Sequence, residues 1–546
     1  MMKKMSRRMA AVILAGTMIL TLMGCESAKE DEQASSKSAE TPKADAGEEQ
    51  PGAAELSMFV QLDPKTAASR KSLSEVPAVQ EIEKRTGITI EFLHPAGNDL
   101  AEQLSLILAA NDLPDLFSVI WNTIPGGVDK LYNSGQIIDL SGYIDTDMPN
   151  FKKLMDAHPE IKTQMVTDDG KVLMLPELRL EESTQYFECF FIRNDWLEAV
   201  GKETPTTIDE LHDVLLAFKT QDPNGNGKQD EIPFVSGSDQ PGVERLGYLY
   251  GINTAWAASN CMYVDDGKVK FGPAEDTYRD YVTTMNQWYK EGLIDPDYLS
   301  SDASGRDAKI TSEAGGMFYG KMNGQQAVYL GAMADQNPDF DLVALPYVNA
   351  PDGNAYDFNS TYCVGVSGIA VSAQCEDVKT ALKFVDYLYS DEGNLISNFG
   401  IEGDTYEIVD GIPKYTEKVT KNEEGLSLVQ SIAKYTIGGI QPRMINDINY
   451  WDAVMTYPQQ KTVYESCSKA TRDRMLPLVS MTMDESTEVN GIFADLKPYI
   501  QEMTNKFIMG DIGLSEFDTY IENVKSMNID TAIADYQAAY DRFSKR

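Results

Sequence analysis

Histidine is nearly absent: His94, His158 and His212 are the only three in 546 residues, and they lie far apart. None forms an HExxH pair, no GxSxG elbow occurs, and no GxxxxGK[ST] loop is present. The common metalloprotease, serine-hydrolase and nucleotide-hydrolase constellations are therefore excluded, and each histidine reads as a surface or core residue. Basic residues are also few, 47 against 85 acidic ones, for a formal charge of −38. Such a balance disfavours nucleic acid as a partner and fits colloidal solubility. No CxxC pair exists among six cysteines, so neither a zinc site nor a disulfide framework is expected. Beyond residue 24 no segment is apolar and long enough to span a bilayer, which takes about 20 residues. Paired carboxylates for glycoside hydrolysis stay open, because sequence does not give the separation of roughly 5 to 9.5 Å which that chemistry needs.

What is present begins with Lys3, Lys4, Arg7 and Arg8, followed by an uncharged run from Met9 to Met23. This is the layout of a signal peptide, residues 1–24. Leu22-Met23-Gly24-Cys25 resembles the lipobox, with Met23 bulkier than usual, which makes Cys25 the lipidated N-terminus of the mature chain. Loss of four basic residues leaves 43 against 85, a formal charge of −42. Residues 25–54 hold no aromatic and no β-branched residue except Thr41, so they cannot bury enough apolar area to offset ordering and read as a disordered tether. Cys189, Cys261, Cys363, Cys375 and Cys467 remain, odd in number and widely spaced, and read as buried free thiols.

About 490 residues follow, enough for two lobes. LSMFVQL, VPAVQEIEKRTG and ITIEFLH give strand, helix and strand, with Gly87 as the helix stop, and AEQLSLILAANDLP with DLFSVIW repeats the unit. The alternation predicts α/β layers around mostly parallel sheets. Further helices are expected at 151–158, 195–201, 207–219, 275–291, 376–390, 485–508 and 514–543. Strands are expected at 172–175, 187–193, 232–236, 314–319, 341–345 and 364–371.

The sharpest local motif is Asp222-Pro-Asn224-Gly-Asn226-Gly227-Lys228-Gln-Asp230-Glu231. Hard oxygen ligands fall at positions 1, 3, 5 and 9 of a loop, with glycine at 6 and a carbonyl, that of Lys228, at 7, which is the spacing calcium takes. The bidentate glutamate of an EF-hand is missing, since position 12 is Pro233; Glu231 at position 10 is the substitute. IPFVS after the loop reads as strand, not helix, and a plain Asp/Asn/Gly turn is the simpler alternative.

Seven segments taken together carry a family likeness: EIEKRTGITIEF (81–92), LILAANDLPDLF (106–117), GQIIDLSGYI (135–144), RNDWLEAVGKETPTTIDEL (193–211), AFKTQDPNGNGKQDEIPF (217–234), FVDYLYSDEGNLISNFGIEGDTY (384–406) and the helical stretch 506–543. In this order they resemble the extracellular solute-binding proteins (family 1 type) of carbohydrate ABC transporters, in the Gram-positive lipoprotein branch related to alginate-oligosaccharide binders. The resemblance implies a bilobal, periplasmic-binding-protein-like α/β fold: two lobes joined by hinge crossovers, with a helical C-terminus. Lobe 1 takes 55–175 and 345–440, and lobe 2 takes 176–344 and 441–546. It also implies a structural calcium held by Asp222, Asn224, Asn226, Lys228, Asp230 and Glu231, away from the cleft. The expected partners are a small-molecule carbohydrate, an oligosaccharide, and ABC permease subunits. The expected protein is a monomer, not an enzyme, held outside the cell membrane by its lipid alone. A secreted glycoside hydrolase and a calcium-dependent surface adhesion module are the rival readings.

Ligands in open α/β sheets bind beyond the carboxyl ends of strands, and sugars want flat aromatic rings with polar groups around them. Gln61 and Asp63 follow the first strand, Trp121 follows DLFSVI, and Tyr319 follows GGMF. Trp256 in NTAWAASN and Trp451 in INYWDAV lack an amphipathic core pattern, and Tyr362 precedes CVGVSGIAV. These seven are the candidate ligand contacts; Trp196 and Trp288, inside helical patterns, read as core.

Overall fold

In the computed structural model, which describes residues 54–95, 100–124, 126–257, 259–359 and 361–546, the chain enters its first sheet at Ala54. The leader, Cys25 and most of the stretch read as a tether lie outside the described residues. Strand β1 (Ala54–Val60) buries Leu56, Met58, Phe59 and Val60. The helix Pro77–Thr86 starts on a proline, buries Ala78, Val79 and Ile82 along one stripe, and stops at Gly87, whose φ of 71° suits glycine. The chain then passes directly into β2 (Ile88–Leu93). Both β2 and β3 (Leu116–Ile120) pair parallel with β1, so that Met58 faces Phe92 on one side and Leu116 on the other.

The sheet is completed by β11 (Val364–Val371) and β4 (Leu175–Leu178), in the order β2-β1-β3-β11-β4. A second sheet, β10-β5-β9-β6, holds β5 (Glu188–Arg193), β6 (Ile232–Val235), β9 (Gly315–Lys321) and β10 (Leu342–Ala344). Two hairpins, β7 (Met262–Asp265) with β8 (Lys268–Phe271) and β12 (Tyr406–Val409) with β13 (Ile412–Tyr415), stand apart. The expectation of mostly parallel sheets needs correction. β1–β2, β1–β3 and β6–β9 are parallel, but β3–β11, β4–β11, β5–β9 and β5–β10 are antiparallel. β5 and β11 enter from the other sheet, so no right-handed βαβ unit dictates their direction.

Each sheet has its own core. Met58, Leu116, Phe151, Phe384 and Ile369 gather on the first, while Trp196, Phe218, Phe234, Trp288 and Met317 gather on the second. A fully buried side chain of this kind contributes about 1.5–3 kcal/mol over an exposed one. Trp196 and Trp288 are core, as expected. Gly316 shows how tightly helix Ile208–Thr220 sits on β9: a Cβ there would lie 2.7 Å from the Phe218 ring and 2.9 Å from that of Trp196.

The C-terminal region is helical, as expected, but segmented. A helix over Met483–Met509, capped reciprocally by Thr482 and Glu485, ends at Gly510 with φ 82°. The stretch expected as one helix over 514–543 is instead a short turn at Leu514–Glu516 and two helices, Phe517–Ser526 and Ile529–Phe543, broken where Asn528 takes φ 65°. A left-handed residue cannot continue a right-handed helix. Among the described residues no helix is long and apolar enough to cross a membrane.

Candidate ligand-binding site

The chain passes between the sheets at 179–187, joining β4 to β5, and again at 345–363, joining β10 to β11. A third segment returns along β4, where Leu178 N–H donates to Met444 O and Asn446 N–H to Leu178 O, both at 2.8 Å. It continues through helix Ile448–Val454 into helix Pro458–Cys467, which packs on β10. Side chains with charge and aromatic faces converge here.

On the side of the first sheet, Glu177 is the hub. Its Oε1 accepts from Arg443 Nη2 at 3.0 Å and from the Asn446 amide, and stands 3.6 Å from Arg179 Nη2. Asn446 Oδ1 accepts from the same Arg443 nitrogen. Burial pushes the Glu177 carboxyl up, yet Arg443 and Arg179 outweigh it and hold it below the ordinary carboxylate range. Burial pulls Arg179 down to about 10, with Glu177 opposing and Arg443 adding to the fall. Its guanidinium lies 4.9 Å over Phe187 and 5.8 Å from the ring of Trp451, and those two rings are 6.3 Å apart.

On the side of the second sheet, Glu188 opens β5 and takes two partners from the end of β9: Lys321 Nζ at 3.3 Å and the Tyr319 hydroxyl, which donates at 2.8 Å. Arg245 stacks 4.1 Å over Tyr319 and donates through Nε to Asn359. Beyond β1, Asp63 caps the turn Pro64–Ala67 by accepting from Lys65 N–H at 2.9 Å, and Lys65 Nζ donates to Gly439 O at 3.1 Å. Burial lowers Lys65 below the usual lysine value; Asp63 raises it, while Arg443 and, from the other sheet, Lys321 lower it. Lys65 and Lys321, from different sheets, thus lie near enough to repel one another.

Of the seven candidate contacts, Asp63, Tyr319 and Trp451 fall in this cluster, and Gln61 lies two residues from Asp63, partly buried. Tyr319 is itself 1% exposed, its hydroxyl bonded to Glu188. The other three lie apart from it. Trp121 is 3% exposed and donates its indole N–H to Gly368 O at 3.1 Å, so it is a core residue of the first sheet. Trp256 packs edge-on against Phe271 and Phe493 in the core gathered on the second sheet. It lines a separate cavity of about 320 Å³ with Glu244, Tyr278, Tyr281 and Gln501. Tyr362 is turned toward the C-terminal region, its hydroxyl 3.4 Å from Met475 O. Lys65, Glu177, Arg179, Phe187, Glu188, Lys321 and Arg443 were missed. For Glu177, Arg179 and Glu188 the signal was a charge set in an otherwise apolar run, LPELRL and FECFFIR.

The Asp222 loop closes on itself. Gly227 N–H donates to Asp222 Oδ2 at 2.9 Å, Asn226 N–H to Asn224 Oδ1 at 3.0 Å, and Lys228 N–H to Asn226 Oδ1 at 2.8 Å. Asp230 accepts from the Asn226 amide at 3.0 Å. Glu231 differs: it is fully buried, and neither carboxylate oxygen has a hydrogen-bond partner. Burial raises its pKa, and Asp230 and Asp222 add to the rise. A buried carboxylate without a partner beside a ring of Asp and Asn oxygens fits a hard cation. Among the described residues no three His, Cys, Asp or Glu side chains form a metal cluster, so such a site would lean on amide and backbone oxygens.

The histidines sit on separate elements. His94 Nδ1 is 2.9 Å from Val60 O, His158 is 3.3 Å from Glu160, and His212 is 2.6 Å from Glu291. The five cysteines of the body are buried and free, as expected.

Residues 67–395 match the family model described as bacterial extracellular solute-binding protein. Over 500 residues the chain is 27% identical to the fructooligosaccharide ABC transporter substrate-binding protein FusA of Streptococcus pneumoniae, which covers 87% of this chain and 88% of that one. It is 24% identical over 471 residues to the polygalacturonan/rhamnogalacturonan-binding protein YtcQ of Bacillus subtilis, covering 85% and 88%. The solved structure of alginate-binding protein AlgQ2 without calcium ion superposes with a TM-score of 0.71 at 25% identity, over 90% of this chain and 99% of that one. The bilobal α/β fold is shared. With its family model matched from the first helices to beyond β11, this chain belongs to the bacterial extracellular solute-binding proteins.

Proposed function

We propose that this protein is the lipid-anchored substrate-binding component of an ABC importer. It captures an oligosaccharide between two lobes, 55–175 with 345–440 and 176–344 with 441–546, and delivers it unaltered to a membrane permease driven by a separate ATPase. Cys25 carries the anchor on the outer face of the membrane, and the protein works as a monomer. The observation that carries this reading is the convergence, at the crossings, of Trp451, Phe187 and Arg179 with Asp63 from one sheet and Glu188 and Lys321 from the other. Aromatic faces ringed by hydrogen-bonding groups suit the C–H faces and hydroxyls of sugar rings.

Calcium in this reading is structural. Glu231 and the oxygens of Asp222, Asn224, Asn226, Asp230 and the Lys228 carbonyl would hold it, and the ion would neutralise a buried carboxylate and brace the loop before β6. The sugar-binding names of the relatives support the substrate class, and the reference to calcium in the alginate-binding structure supports the ion.

A thermal-shift screen against a glycan panel tests the reading. A true ligand at 100 times its Kd stabilises by about 2.7 kcal/mol, and mass spectrometry should recover it intact. Cleavage of the glycan by the purified protein, abolished by one carboxylate substitution, would make it a glycosidase.

A further inference from the structure

Among the ion pairs at the crossings, cations outnumber carboxylates in a chain that is otherwise strongly acidic. Four cations, Lys65, Arg179, Lys321 and Arg443, share three carboxylates, Asp63, Glu177 and Glu188. The next carboxylate outward, Asp447, is ion-paired with none of the four: it accepts from Asn449 N–H at 2.8 Å and from the Asn394 amide at 2.7 Å.

The hydrogen-bond balance leans the same way. Glu177 Oε1 alone serves Arg443 and Asn446, with Arg179 at 3.6 Å. Arg443, 7% exposed, keeps two nitrogens, Nε and Nη1, with no acceptor among the described residues, and the indole Nε1 of Trp451 has none either. These three left-over atoms are donors, and a buried donor without an acceptor costs about 1–3 kcal/mol. The cations also come from both sheets, Lys65, Arg179 and Arg443 from one and Lys321 from the other.

We infer that the ligand is an acidic oligosaccharide, one bearing uronate carboxylates, and that Lys65, Arg443 and Lys321 select it over a neutral sugar by meeting a carboxylate between the lobes. This rests on the saccharide reading above and narrows it. A carboxylate accepts from several donors at once, supplying the acceptors that Glu177 cannot. Its charge would relieve the mutual repulsion that, together with burial, lowers Lys65. A neutral hydroxyl would satisfy a donor and leave the cation surplus standing. Because the carboxylate is reached from both lobes, its charge also rewards their closure.

The test pairs each member of a panel of uronic-acid oligosaccharides with its carboxyl-reduced, neutral counterpart, in calorimetric titrations of the purified protein. At least one acid should bind about tenfold more tightly than its reduced partner, and the preference should shrink between about 20 and about 200 mM NaCl, as screening requires. Lys65→Gln and Lys321→Gln alter partly exposed side chains and should narrow the acid-to-neutral ratio; Arg443→Gln should narrow it further if that variant folds. Tight binding of a neutral oligosaccharide with no acid bound would overturn the charge inference and leave the saccharide reading intact. Binding of neither class would overturn both.

Discussion

Arg443 and Glu177 lie 266 residues apart in the chain and meet at 3.0 Å, both buried. The pair ties the segment leading out of the first sheet to the one returning along it. Glu177→Gln would leave Arg443 and Arg179 close together with no carboxylate between them, and breaking a buried pair from one side costs about 3–5 kcal/mol. The Tm should fall accordingly. The folded pKa of Glu177 lies below its ordinary value, so its contribution is present above the ordinary carboxylate value and is lost as pH drops through the depressed one. In acid titrations from about pH 5 downward, wild type should lose a component of stability that Glu177→Gln lacks.

Glu231 carries the opposite sign. Its carboxyl is raised by burial, so without a cation the folded state holds an unfavourable buried charge at neutral pH. Glu231→Gln should be at least as stable as wild type in chelator, yet gain little from calcium. Wild type should gain several degrees in Tm when calcium is added, and Asp222→Ala should lose most of that gain while keeping ligand affinity. An identical melt with and without calcium in wild type would show the loop to be a plain turn.

How much of this could be read in advance depended on whether local residues set the outcome. The βαβ opening was legible because Pro77 and Gly87 bracket a helix whose apolar stripe is local, and the Asp222 loop because its spacing is contiguous. Strand direction was not, since β5 and β11 take theirs from the long segments that cross between sheets. The aromatic candidates divide the same way. Trp121 and Trp451 both follow plausible signals, but only the packing of Gly368 opposite β3 tells that the first is buried. Glu177, Arg179 and Arg443 went unread because their meaning lies in a contact between distant segments: the first two look like stray charges in the apolar run LPELRL, and Arg443 like a loop cation.

The anchor is tested at the membrane. Once the leader is cleaved, Cys25→Ala should release the protein in soluble form, because among the described residues no helix is long and apolar enough to cross a membrane, and a lipid on Cys25 is the anchor proposed above. Fractionation of cells making the wild type and the variant decides it: recovery of the variant with membranes would overturn the lipid-anchored reading.

Trp451 and Trp121 together set the proposed ligand contact against a core residue. Trp451 is half-buried, with Phe187 at 6.3 Å and Arg179 at 5.8 Å from its ring, so Trp451→Ala should weaken binding of the sugar found in the screen by about 2 kcal/mol or more, the loss typical of an aromatic anchor. Its effect on Tm in the absence of ligand should be smaller. Trp121→Ala opens a cavity in the first core and orphans the Gly368 carbonyl, so it should cost about 3–5 kcal/mol of stability, with affinity per folded molecule nearly unchanged. Small-angle scattering adds an independent reading: sugar should reduce the radius of gyration of wild type, because a ligand touched by residues of both sheets draws the lobes together. Trp121→Ala, where folded, should still contract on binding, whereas Trp451→Ala should need more sugar to do so. If Trp121→Ala abolished binding and Trp451→Ala left it untouched, the site would lie at the end of β3 and not at the crossings.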